Sequence, residues 1–296
     1  MIHKRIKGIF KKGSVTYYWS SLFFPKSVRE DVFNLYAFVR IADNFVDSKN
    51  QNRDGFTSFR KKFEKAYKSQ KICNDLVIDN FIKLTRRRNF NKRWVDAFLD
   101  SMRADFNGNV CSDFPQIKKY MYGSAEVIGL MMAQIMSLPQ SSHESAKMLG
   151  RAYQYLNIIR DVSTDNSLKR IYIPLSEIKK YGLSNLTRPT NTTDEQKFVT
   201  LIRAQIDIYK TWMVKAKEGY RYIPPRLLIP IMTSSDMYDW TAQVIYKNPL
   251  IVFEKVVKPS PSKVILCLIR NTICQLPAIG YWCAGIKHVS IKHGKI

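Results

Sequence analysis

The chain has 296 residues, 45% hydrophobic and 12% aromatic, enough for a sizeable core, which excludes wholesale disorder. Forty-eight basic residues against 24 acidic ones give a formal charge of +24, a field that attracts nucleic acid, anionic lipid heads or phosphorylated substrates. The basic residues are scattered, and neither a zinc-finger spacing nor the aromatic signature of an RNA-recognition domain is present, so no specific nucleic-acid partner is expected.

The N-terminal stretch MIHKRIKGIFKKGS is basic and lacks the apolar run of a signal peptide. Pro25-Lys26-Ser27 opens a helix, with Ser27 as N-cap and Glu30 completing a capping box. Val32, Leu35, Tyr36, Val39 and Phe45 then follow helical spacing. The same periodicity predicts helices near 53–68, 74–87, 91–107, 114–136, 143–164, 194–219, 225–247 and 260–274. Pro174, the stretch 182–193, Pro224-Pro225 and 259–261 break the pattern, and none is long enough to be a flexible linker. The expectation is one all-α domain over 1–296.

Residues 264–286 form the most apolar stretch, interrupted by Arg270, Asn271, Gln275 and Pro277. A spanning helix needs about 20 largely apolar residues, so no membrane span is expected. Two readings stay open: a core helix with an apolar tail, or a surface that dips into an anionic bilayer with lysines on both sides. The five cysteines, Cys73, Cys111, Cys267, Cys274 and Cys283, form no CxxC pair. Their odd number argues against a disulfide framework and a zinc site and fits a reducing cytoplasm. With the basic charge and the apolar 264–286 stretch, the expectation is a cytoplasmic protein with peripheral membrane contact.

Two polar stripes stand out. In LYAFVRIADNFVD, residues Tyr36, Arg40, Asp43 and Asp47 are spaced four, three and four, which is one helix face. In YQYLNIIRDVSTD, residues Gln154, Asn157, Asp161 and Asp165 are spaced three, four and four, again one face, with Arg160 preceding the acids. Their neighbours are largely apolar, and buried carboxylates are costly unless paired or bound to metal. Oxygen donors without histidine or cysteine suit Mg, or Mn. Mg keeps water and substrate phosphate oxygens in its shell, and Arg40, Arg160 and Arg170 suit the remaining phosphate charge. The stripes therefore read as a metal–diphosphate site at the mouth of an apolar cavity, where a diphosphate leaves and the resulting carbocation is shielded from water.

These same residues resemble the squalene/phytoene synthase family. The likeness begins at SVTYYWSSLFFPKSVREDVFNLYAFVRIADNFVD and continues through YMYGSAEVIGLMM and GRAYQYLNIIRDVSTDNSLKRIYIP. It ends at DMYDWTAQVIYKNPLIVFEKVVKPSPSK. The resemblance implies an isoprenoid-synthase-type helical bundle around a central apolar cavity. It also implies a head-to-head coupling of two allylic diphosphates through a cyclopropyl diphosphate. Asp43, Asp47, Asp161 and Asp165 would hold Mg, joined by Asn157, while Tyr36 and Tyr238 would flank the reacting centre. Ser14, Thr16, Arg40, Tyr122, Gln154, Arg160, Arg170, Tyr172 and Lys255 match positions that bind substrate. Two departures are visible: Asp43-Asn44 replaces adjacent acids, and Lys255 stands where some members carry arginine, which loses the bidentate fork.

The leading expectation is phytoene formation from two geranylgeranyl diphosphates in carotenoid biosynthesis, without NADPH, with hand-over of the product to a downstream desaturase. The alternatives are squalene or dehydrosqualene formation from farnesyl diphosphate, and a non-catalytic scaffold. The retained acids count against the scaffold.

Overall fold

The computed structural model describes residues 2–47, 50–108 and 110–292, with side chains up to Leu276. Helix α1 (Lys4–Gly13) buries Ile6 and Phe10 and turns its lysines outward. Ser14 separates it from α2 (Val15–Ser21), and its Oγ accepts the Tyr17 N–H at 3.2 Å, so this serine is the N-cap of a second helix. Helix α3 (Lys26–Asp47) starts earlier than expected. The Arg29 N–H reaches the Pro25 carbonyl at 2.8 Å and closes the first turn there. Ser27 thus lies inside that turn and is not the N-cap.

Helices α4 (Arg53–Ser69), α5 (Leu76–Arg87) and α6 (Lys92–Ala104) follow, capped by Asn52, Asp75 and Asn91. The periodicity that continued to 107 ends in a 3-10 turn, Asp105–Asn107. The single helix expected over 114–136 is two, α7 (Phe114–Met121) and α8 (Val127–Ile135), joined by a π-helical turn, Tyr122–Glu126. The expected helix over 143–164 also divides, into α9 (His143–Arg160) and α10 (Val162–Ser167). Asp161 marks a bend rather than an end: its N–H bonds Asn157 O, and Asp165 N–H bonds Asp161 O, both at 2.8 Å. The remaining helices are α11 (Leu175–Lys180), α12 (Thr192–Lys217), α13 (Pro225–Lys247) and α14 (Pro261–Lys292). The strand-type pairing described is an isolated bridge between Val110 and Ile171.

Two apolar clusters form the core. One gathers α1, α3, α4, α5, α6 and α8 around Phe38, whose ring stacks on Phe81 at 3.8 Å. The other gathers α7, α9, α12 and α13 around Tyr155, Leu156 and Ile206. Full burial of one such side chain contributes about 1.5–3 kcal/mol. Tyr17 packs against both clusters. Helices α8 and α9 meet through glycines: a Cβ on Gly129 would lie 2.2 Å from Ala146 O, and one on Gly150 would lie 2.5 Å from Ala125 O. Cys73, Cys267 and Cys274 are free thiols, Cys111 is buried, and Cys283 lies outside the residues whose side chains are described.

Helix α14 serves the core with one face only. Val264, Cys267 and Leu268 pack on Ile229 and Met237 of α13. Its other face exposes Ile265, Leu266, Ile269, Ile273 and Leu276. Among the described residues no helix is long and apolar enough to cross a membrane. The apolar stretch from Pro277 on lies outside the residues whose side chains are described.

Candidate active site

Helix α3 delivers the first stripe. Tyr36 stacks on Phe10 at 3.9 Å, and its hydroxyl lies under Gly13, where a Cβ would come within 2.3 Å. That contact explains the glycine at the end of α1. Burial raises the Tyr36 phenol pKa, with Arg40 opposing and Asp43 adding to the rise. Asp43 is pushed up to about 8, first by desolvation and then by Asp47, while Arg40 and Arg170 pull the other way. No ion pair or hydrogen bond is described for the Asp43 carboxylate. Asp47 accepts from Arg170 Nη1 at 3.0 Å.

The bend between α9 and α10 delivers the second stripe. Arg160 grips Asp161 with two bonds, Nε to Oδ1 at 2.8 Å and Nη2 to Oδ2 at 2.6 Å. Among the described residues the Asp165 carboxylate has no hydrogen-bond or ion-pair partner, and it is pushed up to about 8 by desolvation, then by Asp161, with Asp47 and Asp105 adding and Arg170 opposing. Asp165 therefore feels Asp47 of the other stripe, and the two stripes face each other.

Arg170 links them. Lys169, at φ 58°, turns the chain after α10. Arg170 Nη2 then donates to Val46 O at 2.6 Å, and its buried Nε is without a partner. Asn157 likewise has a buried Oδ1 with no partner. One unused donor and one unused acceptor thus remain among the acids.

The stripes missed a fifth acid. Asp105, in the turn after α6, is 2% exposed and accepts Tyr172 Oη at 2.7 Å and Tyr120 Oη at 3.0 Å. The two rings stack at 4.6 Å. Burial pushes Asp105 up to about 6 despite both phenols and Arg170. Asp105 follows the end of a helix, so no periodic signal could have marked it.

Tyr238 on α13 joins the other side. Its Oη lies 2.6 Å from Tyr17 Oη, and its ring stacks on Tyr153 at 4.0 Å. Burial raises all three phenols, which keeps them neutral. Neither Tyr17 nor Tyr153 was expected. Tyr153 stands one turn before Asn157, so the periodicity that found the stripe could have found it.

The other predicted residues lie less centrally. Gln154 and Thr16 are half-buried, and Ser14 is engaged as a cap. Tyr122 is 39% exposed on the π turn, while Tyr120 and Tyr172 occupy the cluster. Lys255 is exposed just after the turn Pro249–Phe253, which packs on α10.

Among the described residues no three carboxylate, imidazole or thiolate groups converge closely enough to hold an ion alone. The donor set still fits a hard cation. It is all oxygen, two carboxylates lack a cation partner, and one amide oxygen is orphaned. Mg needs few protein ligands when water and phosphate complete its shell.

The fold is that of the helical isoprenoid-synthase type. It superposes on a dehydrosqualene synthase with a TM-score of 0.81, at 20% identity, covering 90% of this chain and 94% of the other. The squalene synthase HpnC from Alicyclobacillus acidocaldarius gives 0.72 at 17% identity, over 82% and 92%. The model of the squalene/phytoene synthase family matches residues 10–263, and the chain belongs to that family of prenyltransferase-type enzymes. A 15-cis-phytoene synthase from Synechococcus elongatus is 22% identical over 86% of each chain. A phytoene synthase from Arthrospira platensis is 23% identical, again over 86% of each.

Proposed function

We propose that the chain couples two geranylgeranyl diphosphates head to head, through a cyclopropyl diphosphate, to phytoene. The carrying observation is the pair of facing acid stripes, each with one carboxylate covered by an arginine and one left bare at a raised pKa. Asp43, Asp47, Asp161 and Asp165, with Asn157 Oδ1, would hold Mg. When bound, Mg supplies positive charge that stabilises diphosphate as a leaving group. Arg170, whose buried Nε is unused, would donate to a phosphate oxygen. The neutral phenols of Tyr17, Tyr153 and Tyr238 provide a water-poor aromatic surface for the hydrocarbon cation.

The names of relatives such as the Synechococcus protein support phytoene as product. The structural neighbours described as dehydrosqualene and squalene synthases support a second reading, with farnesyl diphosphate as substrate. Product analysis separates them. The purified protein is incubated with Mg and either geranylgeranyl or farnesyl diphosphate, with and without NADPH. Phytoene without NADPH is the expected product. Squalene or dehydrosqualene from the shorter substrate establishes the second reading, and no hydrocarbon from a folded sample overturns both.

The exposed apolar face of α14, with Leu266 67% exposed, and the basic charge support peripheral binding to anionic membranes. Flotation with anionic liposomes tests it. Protein that stays wholly soluble with and without anionic lipid contradicts it.

A further inference from the structure

Tyr153 sits in the aromatic group beside the second stripe, yet a phenol is a double-edged neighbour for a carbocation. Its π face attracts the cation, whereas its oxygen lone pair is a nucleophile that can trap it as an aryl ether. What the structure does with that oxygen is specific. Tyr153 Oη lies 2.7 Å from Ser235 Oγ, and Tyr220 Oη donates to the same Ser235 Oγ at 2.5 Å. Ser235 is fully buried and has a single hydroxyl proton. Tyr220 donates to Oγ, and either hydroxyl of the Tyr153–Ser235 pair can be the donor; the cap requires Ser235 to donate to Tyr153 Oη. The ring of Tyr153 meanwhile lies flat on Tyr238, at 4.0 Å and 14°.

We infer that Tyr153 is a cation-facing residue of the coupling reaction, and that the hydroxyl series Tyr220 to Ser235 to Tyr153 caps its oxygen so that the π face, not the lone pair, meets the cation. The inference rests on the head-to-head reading above and deepens it. Ser235 and Tyr220 are positioning residues: they touch Tyr153 and each other, and act through it. The Tyr17 and Tyr238 hydroxyls are paired with each other at 2.6 Å, which engages a lone pair on one of the two oxygens. When the cap is lost, the trapping step is balanced as follows. The cation's empty orbital accepts an oxygen lone pair, a C–O bond forms, the Tyr153 O–H bond breaks and its proton leaves to water. No oxidant or reductant takes part.

The test uses the full chain with Mg and geranylgeranyl diphosphate, then farnesyl diphosphate. Two quantities are read for each variant: the ratio of hydrocarbon to prenyl alcohol, and the intact mass of the protein. Ser235→Ala is expected to lower the hydrocarbon fraction several-fold and to yield protein heavier by one prenyl group, mapped by peptide sequencing to Tyr153. Ser235→Ala combined with Tyr153→Phe is expected to lose the adduct and regain hydrocarbon. Tyr153→Leu, which removes the ring, is expected to have a kcat about tenfold below Tyr153→Phe at similar KM. Ser235→Ala with a wild-type product ratio and no adduct overturns the proposal. So does a turnover loss that Tyr153→Phe fails to rescue, which would mark a packing role. If Ser235→Ala does not fold, the comparison of Tyr153→Leu with Tyr153→Phe decides, and equal kcat values overturn the proposal. Wild-type protein that consumes neither diphosphate overturns the functional reading itself, whereas wild-type hydrocarbon formation with indifferent variants overturns only the role of Tyr153.

Discussion

On α3 the acids Asp43 and Asp47 ride one unbroken helix, whereas Asp161 and Asp165 straddle the bend between α9 and α10. Each stripe has one acid covered by arginine and one bare, but the arginines differ in origin. Asp161 is held by its chain neighbour Arg160, a local contact that survives wherever the bend survives. Asp47 is held by Arg170, which lies 123 positions away and also binds the Val46 carbonyl. The first stripe therefore depends on the tertiary fold in a way the second does not. Arg170 leaves from the segment after α10, so it also ties the two stripes together.

Removing an acid should break the comparison most severely. Asp43→Asn or Asp161→Asn is expected to lower turnover by orders of magnitude, while circular dichroism and melting stay nearly intact. Near-normal turnover in either variant removes that residue from the metal site. Removing the arginines should then expose the difference between distant and local pairing. Arg170→Ala leaves the buried Val46 O and a half-exposed Asp47 without their partner and is expected to cost about 1–3 kcal/mol. Arg160→Ala uncovers a partly exposed acid and is expected to cost about 1 kcal/mol. Denaturant unfolding measures both, and equal losses would erase the distinction.

A smaller effect tests how α1 supports the first stripe. Gly13→Ala places a methyl against the Tyr36 hydroxyl and is expected to cost about 1–3 kcal/mol, the usual range for overpacking. A neutral result in thermal melts would show that Tyr36 moves aside freely. A different kind of effect is a slope with pH. Asp43 and Asp165 have folded pKa values raised to about 8, above their unfolded values, so the folded protein holds more protons between those limits. Stability of the metal-free protein is thus full at low pH within this window and declines as pH rises through about 8. Asp165→Asn should flatten that decline, at about 2–4 °C of melting temperature per kcal/mol. An unchanged slope would contradict the bare-carboxylate assignment.

Much of this arrangement was legible in the chain. Spacings of three and four placed Asp43 with Asp47 and Asp161 with Asp165 on common faces, because a regular helix converts sequence distance directly into direction. The same rule could not show the bend at Asp161 or the π turn after Met121, which leave the apolar periodicity running through them. It also could not show Asp105, whose two phenol donors, Tyr120 and Tyr172, come from other segments. Tyr17 and Tyr153 were passed over because a tyrosine among apolar neighbours has the same pattern whether it fills a core or lines a reaction space. Ser27 looked like a cap by composition, yet the carbonyl of Pro25 took the first helical bond.

The glycine seam between α8 and α9 has a dynamic consequence. Gly129 of α8 faces Ala146 O of α9, and Gly150 of α9 faces Ala125 O of the π turn, so the backbones meet there without intervening side chains and a side chain at either position would force them apart. The second stripe is thereby mounted on a helix with a close backbone contact at its N-terminal half. Helices α2 and α14 are tied to α13 by side-chain links such as Ser20 to Ser234 and Asn271 to Thr233, both 3.1 Å. Amide hydrogens along the seam should exchange slowest, and those of α2 and α14 fastest.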